Sequence, residues 1–128
     1  MSAHLKEAFR EAYTIFNGAS YDDLLPMLDP DIILKRVDDA PSVVGVGNVM
    51  AYLKGRQVAL KPKLDSFKEK DLTYVGEDGT NGQVSGLAQY HDSEKDKNGV
   101  AVRFTFTFTR SSETEDWLLI NAFAAPVG

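Results

Sequence analysis

Val100-Ala101-Val102-Arg103-Phe104-Thr105-Phe106-Thr107-Phe108-Thr109-Arg110 is the stretch that decides the fold. Side chains of a strand alternate between two faces. Here one face carries Val100, Val102, Phe104, Phe106 and Phe108, and the other carries Ala101, Arg103, Thr105, Thr107 and Thr109. A row of phenylalanines on one side needs a deep apolar layer over it or a lined cavity. The stretch therefore predicts a long strand in a curved sheet wrapped around a pocket.

Downstream, Ser111 to Glu115 is a turn and Trp117 to Ala125 a last strand. Simple alternation puts Trp117, Leu119 and Phe123 on one face and Leu118, Ile120 and Ala122 on the other. Both faces are then apolar, so both call for cover. Helices cover one. A second subunit is the simplest cover for the other, and a symmetric homodimer is the commonest form.

Upstream, Gln83 to Tyr90 reads as a strand, with Gly86 and Ala88 as bend positions, and another strand lies within Leu64 to Val75. The polar run from Asp92 to Gly99 is a loop. Earlier still, Leu5, Ala8, Phe9, Ala12, Tyr13 and Phe16 recur at helical spacing and mark an amphipathic helix ending at Asn17-Gly18. Ser20-Tyr21-Asp22-Asp23 resembles a capped helix start, and Pro26 is tolerated if it sits early. Ile32 to Val37 is a strand by its β-branched content, Asp38 to Ser42 a loop, and a third helix spans about Gly47 to Leu60. Three N-terminal helices packed on a strongly curved antiparallel sheet is an α+β arrangement.

The chain has 128 residues, enough for one domain, 1–128, with its own core. Its 14 Lys+Arg against 19 Asp+Glu give a net charge of −5. That balance predicts neither a nucleic-acid grip nor attachment to an anionic membrane. Cysteine is absent, and His4 and His91 are far apart, so no thiolate or histidine-rich metal motif exists and no cofactor is expected. The N-terminus lacks a signal-peptide pattern and no run is long enough for a membrane span, so the expectation is a cytoplasmic protein.

The order Tyr13-x-x-Phe16-Asn17, Tyr21-Asp22-Asp23-Leu24-Leu25-Pro26-Met27-Leu28, Asp29-Pro30-Asp31-Ile32 is the first part of a wider pattern. Val43-Val44-Gly45-x-x-x-Val49-x-x-Tyr52-Leu53 follows. Val102-x-Phe104-x-Phe106-x-Phe108 and Asp116-Trp117-Leu118-Leu119-Ile120 complete it. Over nearly its whole length the chain resembles the nuclear transport factor two–like, or SnoaL-like, superfamily of cystatin-like α+β cones. The resemblance implies a cone of curved sheet closed by three helices, with a pocket at the wide end, usually in a dimer. It does not imply one function, because that fold hosts isomerases, polyketide cyclases, dehydratases and assembly modules.

Ketosteroid isomerases of this fold need a carboxylate base, a tyrosine and a protonated aspartate. Aligned on Asn17 and Gly45, the base position falls on Arg36, the aspartate position near Phe104, and the tyrosine position on Ala12 beside Tyr13. A cation cannot abstract the proton, so the isomerase pattern is dissolved. Cyclase or dehydratase chemistry would draw on Asp39, Asp92 or His91, all in or beside loops. Arg36 alternates with Ile32 and Leu34. It has two readings: an anchor for a carboxylate or polarised carbonyl, or a salt bridge to Asp38, Asp39 or Glu115. Tyr13, Phe16, Tyr52, Tyr90, Phe104, Phe106, Trp117 and Asn121 complete the candidate lining, which suits a small, flat, apolar or carboxylate-bearing ligand. The expectation is a small-molecule-binding protein; the alternatives are a polyketide-cyclase or dehydratase type of enzyme and a dimerisation or protein-interaction module.

Overall fold

The first helix, α1 (Leu5–Asn17), buries one stripe, Leu5, Ala8, Phe9 and Ala12, and leaves Lys6, Glu7 and Arg10 in solvent. Its spacing of three and four residues sets that stripe. The computed structural model describes residues 4–17, 21–35, 41–59, 63–65, 72–91 and 100–126. The Ser20 cap, Val37, the 38–40 part of the first loop and the loop at 92–99 lie outside the described residues.

The second helix is of the tight 3-10 type, Tyr21–Met27, and holds Pro26 in its last turn rather than early. Proline has no N–H and clashes with the preceding turn, which suits a short helix that ends there. Leu24 and Met27 point into the core, while Leu25 is exposed. The chain then runs directly into β1 (Leu28–Lys35) and the two-residue β2 (Val43–Val44). Gly45, at φ +91°, turns the chain into α2 (Val46–Ala59). Its carbonyl accepts from the Val49 amide at 2.9 Å, and its own amide donates to the Ile32 carbonyl at 2.8 Å. Those two bonds fix α2 against β1.

The remaining strands are β3 (Lys63–Asp65), β4 (Thr73–Val75), β5 (Asn81–His91), β6 (Val100–Thr109) and β7 (Leu118–Pro126). The strand expected within Leu64 to Val75 is thus two short ones, both paired antiparallel to β5. The sheet order is β2-β1-β7-β6-β5-β3, with β4 also on β5. The sheet is curved and mixed, which corrects the all-antiparallel expectation at one place: β1 runs parallel to β7. The two are joined by most of the chain rather than by a hairpin, so nothing forces them to run in opposite directions.

The face assignment of β6 holds from Ala101 to Thr109. Val102, Phe104, Phe106 and Phe108 are buried, and Ala101 and Arg103 are exposed. The face assignment of β7 does not. Leu119 pairs with Phe108 but Asn121 pairs with Thr107, so Ile120 is an extra residue in a β-bulge. A bulge reverses the alternation beyond it. Ala122 and Ala124 therefore join the phenylalanine face, opposite Phe106 and Phe104, while Phe123 turns to the threonine face. There the Lys35 ammonium lies 4.7 Å from the Phe123 ring centroid.

Candidate functional site

The inner face of the sheet and α1 meet in an aromatic layer. Phe9 is its hub. Its ring stacks on Phe104 at 5.7 Å, meets Phe106 edge-on at 5.4 Å and lies 5.1 Å from Tyr13. Phe104 and Phe106 also meet edge-on at 5.8 Å. These offset and T-shaped arrangements are the ones the ring quadrupole favours. Helical spacing puts Phe9 and Tyr13 one turn apart on the same face, and strand alternation puts Phe104 and Phe106 on one side.

Burial is uneven across this face. Val84, Val102, Phe104 and Phe108 are sealed. Beside them, at the end where β1 and β7 finish, Leu34, Val43 and Ala124 are only half-buried. Strand pairing makes these three neighbours: Leu34 pairs with Val43 and Ala122, and Ala124 pairs with Phe104. Tyr13 on α1 and Tyr52 on α2 are half-buried against the same core. Small alanines on β7 lie beside large phenylalanines on β6, which leaves a low floor under that rim. Across the sheet the opposite holds. A side chain at Gly86 would meet Leu72 Cδ2 at 2.6 Å, so that glycine serves close packing and is not merely a bend.

The expected lining residues separate into groups. Tyr13, Phe104 and Phe106 come together in the aromatic layer, and Tyr52 joins the same core from α2. Trp117 is buried at the far end of the sheet, beyond Phe108, with the Arg110 guanidinium 4.0 Å from its ring centroid. It is part of the base and away from the rim. Asn121 pairs with Thr107 and so lies on the outer face, a consequence of the bulge. Tyr90 pairs with Val100 through its backbone. The side chains of Phe16, Tyr90 and His91, and the whole of Arg36, Asp39 and Asp92, lie outside the described residues.

Three features were missed in the sequence. Phe9 was visible only as one member of the helix stripe; its four-residue offset from Tyr13 was the available signal. Ala122 and Ala124 were hidden by the bulge. Arg110 reads in the sequence as the end of a strand, yet among the described residues it is the one charged side chain in the buried set. Among the described residues, no cluster of three or more His, Asp or Glu is placed to hold a metal. No described helix is long and apolar enough to cross a membrane.

No protein-family profile matches the chain, and no curated protein matches it in sequence. Solved structures do match. A protein of the NTF2-like family from Streptomyces avermitilis, provisionally assigned as a dehydratase, is 16% identical with a TM-score of 0.79, over 98% of this chain and 94% of that one. An uncharacterised cystatin-like protein from Caulobacter vibrioides is 10% identical with a TM-score of 0.77, over 98% and 88%. A protein from Catenulispora acidiphila, solved in complex with S-DNPA, is 9% identical with a TM-score of 0.73, over 97% and 91%. At these identities the likeness establishes the fold, the NTF2-like or cystatin-like cone, and nothing finer.

Proposed function

We propose that this chain is a small-molecule-binding protein whose ligand enters over Leu34 and Ala124 and rests against the aromatic layer. The uneven burial of the inner face carries this reading: sealed phenylalanines lie next to half-buried Tyr13, Leu34, Tyr52 and Ala124. A site of apolar walls with a few phenol tips suits a flat, mostly apolar molecule. Arg36, which continues the alternation of Ile32 and Leu34, is the anchor for a carboxylate on that molecule. A fold neighbour that holds S-DNPA supports a ligand-binding use of the cone.

Acid–base catalysis of the polyketide-cyclase or dehydratase type is the second reading, favoured by the provisional dehydratase assignment of the Streptomyces avermitilis fold neighbour. Binding is preferred because the described inner-face side chains are apolar or phenolic, and a proton shuttle needs a group that titrates near neutrality. The test is a titration with 8-anilinonaphthalene-1-sulfonate, an aromatic anion. Saturable binding that Ala124→Leu weakens, with the fold intact by circular dichroism, supports the site. Unsaturable binding, or an unaffected variant, removes it.

The outer face is the surface we assign to a second copy of the chain. Ile33, Val44, Val75 and Leu87 are 37%, 55%, 58% and 57% exposed, and strand pairing puts all four on that face. Between them lie uncharged side chains, Thr105, Thr107, Asn121, Gln83 and Ser85, with the charges of Lys35 and Arg103 at the margin beside Phe123 and Leu87. An uncharged centre with scattered aliphatics resembles the core of a protein interface more than a solvated sheet. A cytoplasmic location belongs to the same proposal and is tested by cell fractionation.

A further inference from the structure

At the base of the sheet, opposite the rim, one buried side chain meets the turn between β4 and β5. Arg110 leaves the end of β6 and is buried. Its Nε donates to the Gly79 carbonyl at 2.8 Å and its Nη2 donates to the Glu77 carbonyl at 3.2 Å. Its backbone amide donates to the Thr80 carbonyl at 3.0 Å. The three acceptors, the carbonyls of Glu77, Gly79 and Thr80, all lie in the turn between β4 and β5. The guanidinium plane also covers the indole of Trp117, with 4.0 Å between its central carbon and the ring centroid. On the other side, a side chain at Gly82 would meet Leu5 Cδ2 at 3.0 Å and the indole at 3.3 Å. The indole is thus enclosed between the α1 start, β5 and the arginine, and is 1% exposed.

We propose that Arg110 is a latch: it pins the 76–80 turn over Trp117, and its release opens the base of the core locally while the long strands stay paired. A buried arginine is costly unless its donors are met, and the turn carbonyls meet them. Besides the arginine, the turn is held by its own Gly79 amide on the Gly76 carbonyl at 3.1 Å and by the exposed end of β6, where the Thr109 hydroxyl donates to the Thr80 carbonyl at 3.3 Å. β4 is only three residues long, and a pairing so short is marginal alone. Regions of this kind open below the free energy of global unfolding. The turn and the neighbouring 111–116 segment are acidic, with exposed Glu77, Asp78, Glu113, Glu115 and Asp116. With the latch shut, the aromatic layer is reached from the rim and not from the base.

Trp117 is the only tryptophan in the sequence, so its fluorescence reports this site alone. Acrylamide is the appropriate quencher, because the acidic turns would repel iodide. In the wild type the emission should be blue-shifted and weakly quenched. In Arg110→Met it should shift to longer wavelength and quench strongly, with the far-ultraviolet dichroism and a single cooperative unfolding transition preserved. Arg110→Lys, which keeps a cation but lacks the forked donors, should fall between the two. Equal quenching in all three proteins overturns the latch. So does quenching that appears only in step with global unfolding in urea. If Arg110→Met fails to fold, amide exchange in the wild type decides. Exchange of the Arg110 and Gly79 amides through a local opening supports the latch, and exchange only through global unfolding refutes it.

Discussion

The rings of Phe9 and Phe104 lie almost parallel, 2° apart, with centroids 5.7 Å from one another. One ring comes from α1 and the other from the middle of β6, so this stack fastens the first helix to the sheet. Both side chains are sealed from solvent. Their separation in sequence means that the contact forms only when helix and sheet have docked.

Phe104→Ala should therefore destabilise the chain by about 3–5 kcal/mol, the usual cost of removing a buried phenylalanine. Phe9→Ala should cost a similar amount. Urea denaturation of both single variants and the double variant should give a coupling of about 0.5–1.5 kcal/mol, typical of an aromatic pair. Additive losses would show that the stack adds nothing beyond burial.

Two glycines should respond with opposite signs. Gly76 sits at φ +78°, and an added Cβ would come 2.1 Å from the Asn81 carbonyl oxygen. Gly76→Ala should cost more than the roughly 1–2 kcal/mol of the left-handed conformation alone. Gly55 lies inside α2 with open space around its Cβ position. Gly55→Ala should stabilise by about 0.4–1 kcal/mol, largely by restricting the unfolded chain. Thermal melts of the two variants check both.

The dimer proposed above has a sharp test. Sedimentation at micromolar concentration should report about twice 14.1 kDa. Thr107→Arg puts a charge at the uncharged centre of the outer face and should yield monomers with unchanged circular dichroism. A monomeric wild type would end the proposal.

Isomerisation of ketosteroids should be undetectable above buffer. Phe104 is wholly buried in an aromatic stack and Ala12 in the helix stripe, where that chemistry requires an acid and a phenol. Saturable migration of a ketosteroid double bond would show the alignment to be wrong.

Arg36→Ala should weaken binding of an aromatic carboxylate by roughly 1.5–3 kcal/mol, the worth of a charged hydrogen bond, and leave the melting temperature nearly unchanged. Calorimetric titration measures it. Equal affinity in the variant would assign Arg36 to a surface ion pair.

Much of this architecture was legible because local periodicity is a local property. The α1 stripe and the phenylalanine face of β6 follow from spacing alone. The short second helix was legible too, but its Pro26 sits in the last turn and not, as expected, early. What escaped depends on partners far along the chain. The bulge at Ile120 arises from how β7 pairs with β6, and it moved Asn121 and Phe123 to the outer face and two alanines to the inner one. No composition marks such a slip. The split of one expected strand into β3 and β4 is likewise decided by where β5 can accept partners. Trp117 and Arg110 illustrate the same limit: each type was noticed or passed over singly, and only folding shows them face to face.

The parallel pair β1–β7 also bears on the order of events during folding. Ile33 meets Asn121 and Leu34 meets Ala122, so the floor beneath the rim joins the first strand to the last. Closing so large a loop carries an entropy cost that nearby hairpins do not, and chains dominated by distant pairings fold slowly. The β5–β6–β7 meander can assemble from neighbours. On the ribosome, β1 emerges long before the strand that will flank it, and must wait with one edge unpaired. Such an edge is a template for association with other chains. The half-made protein is thus most vulnerable to misassembly at the strand that borders the proposed ligand site.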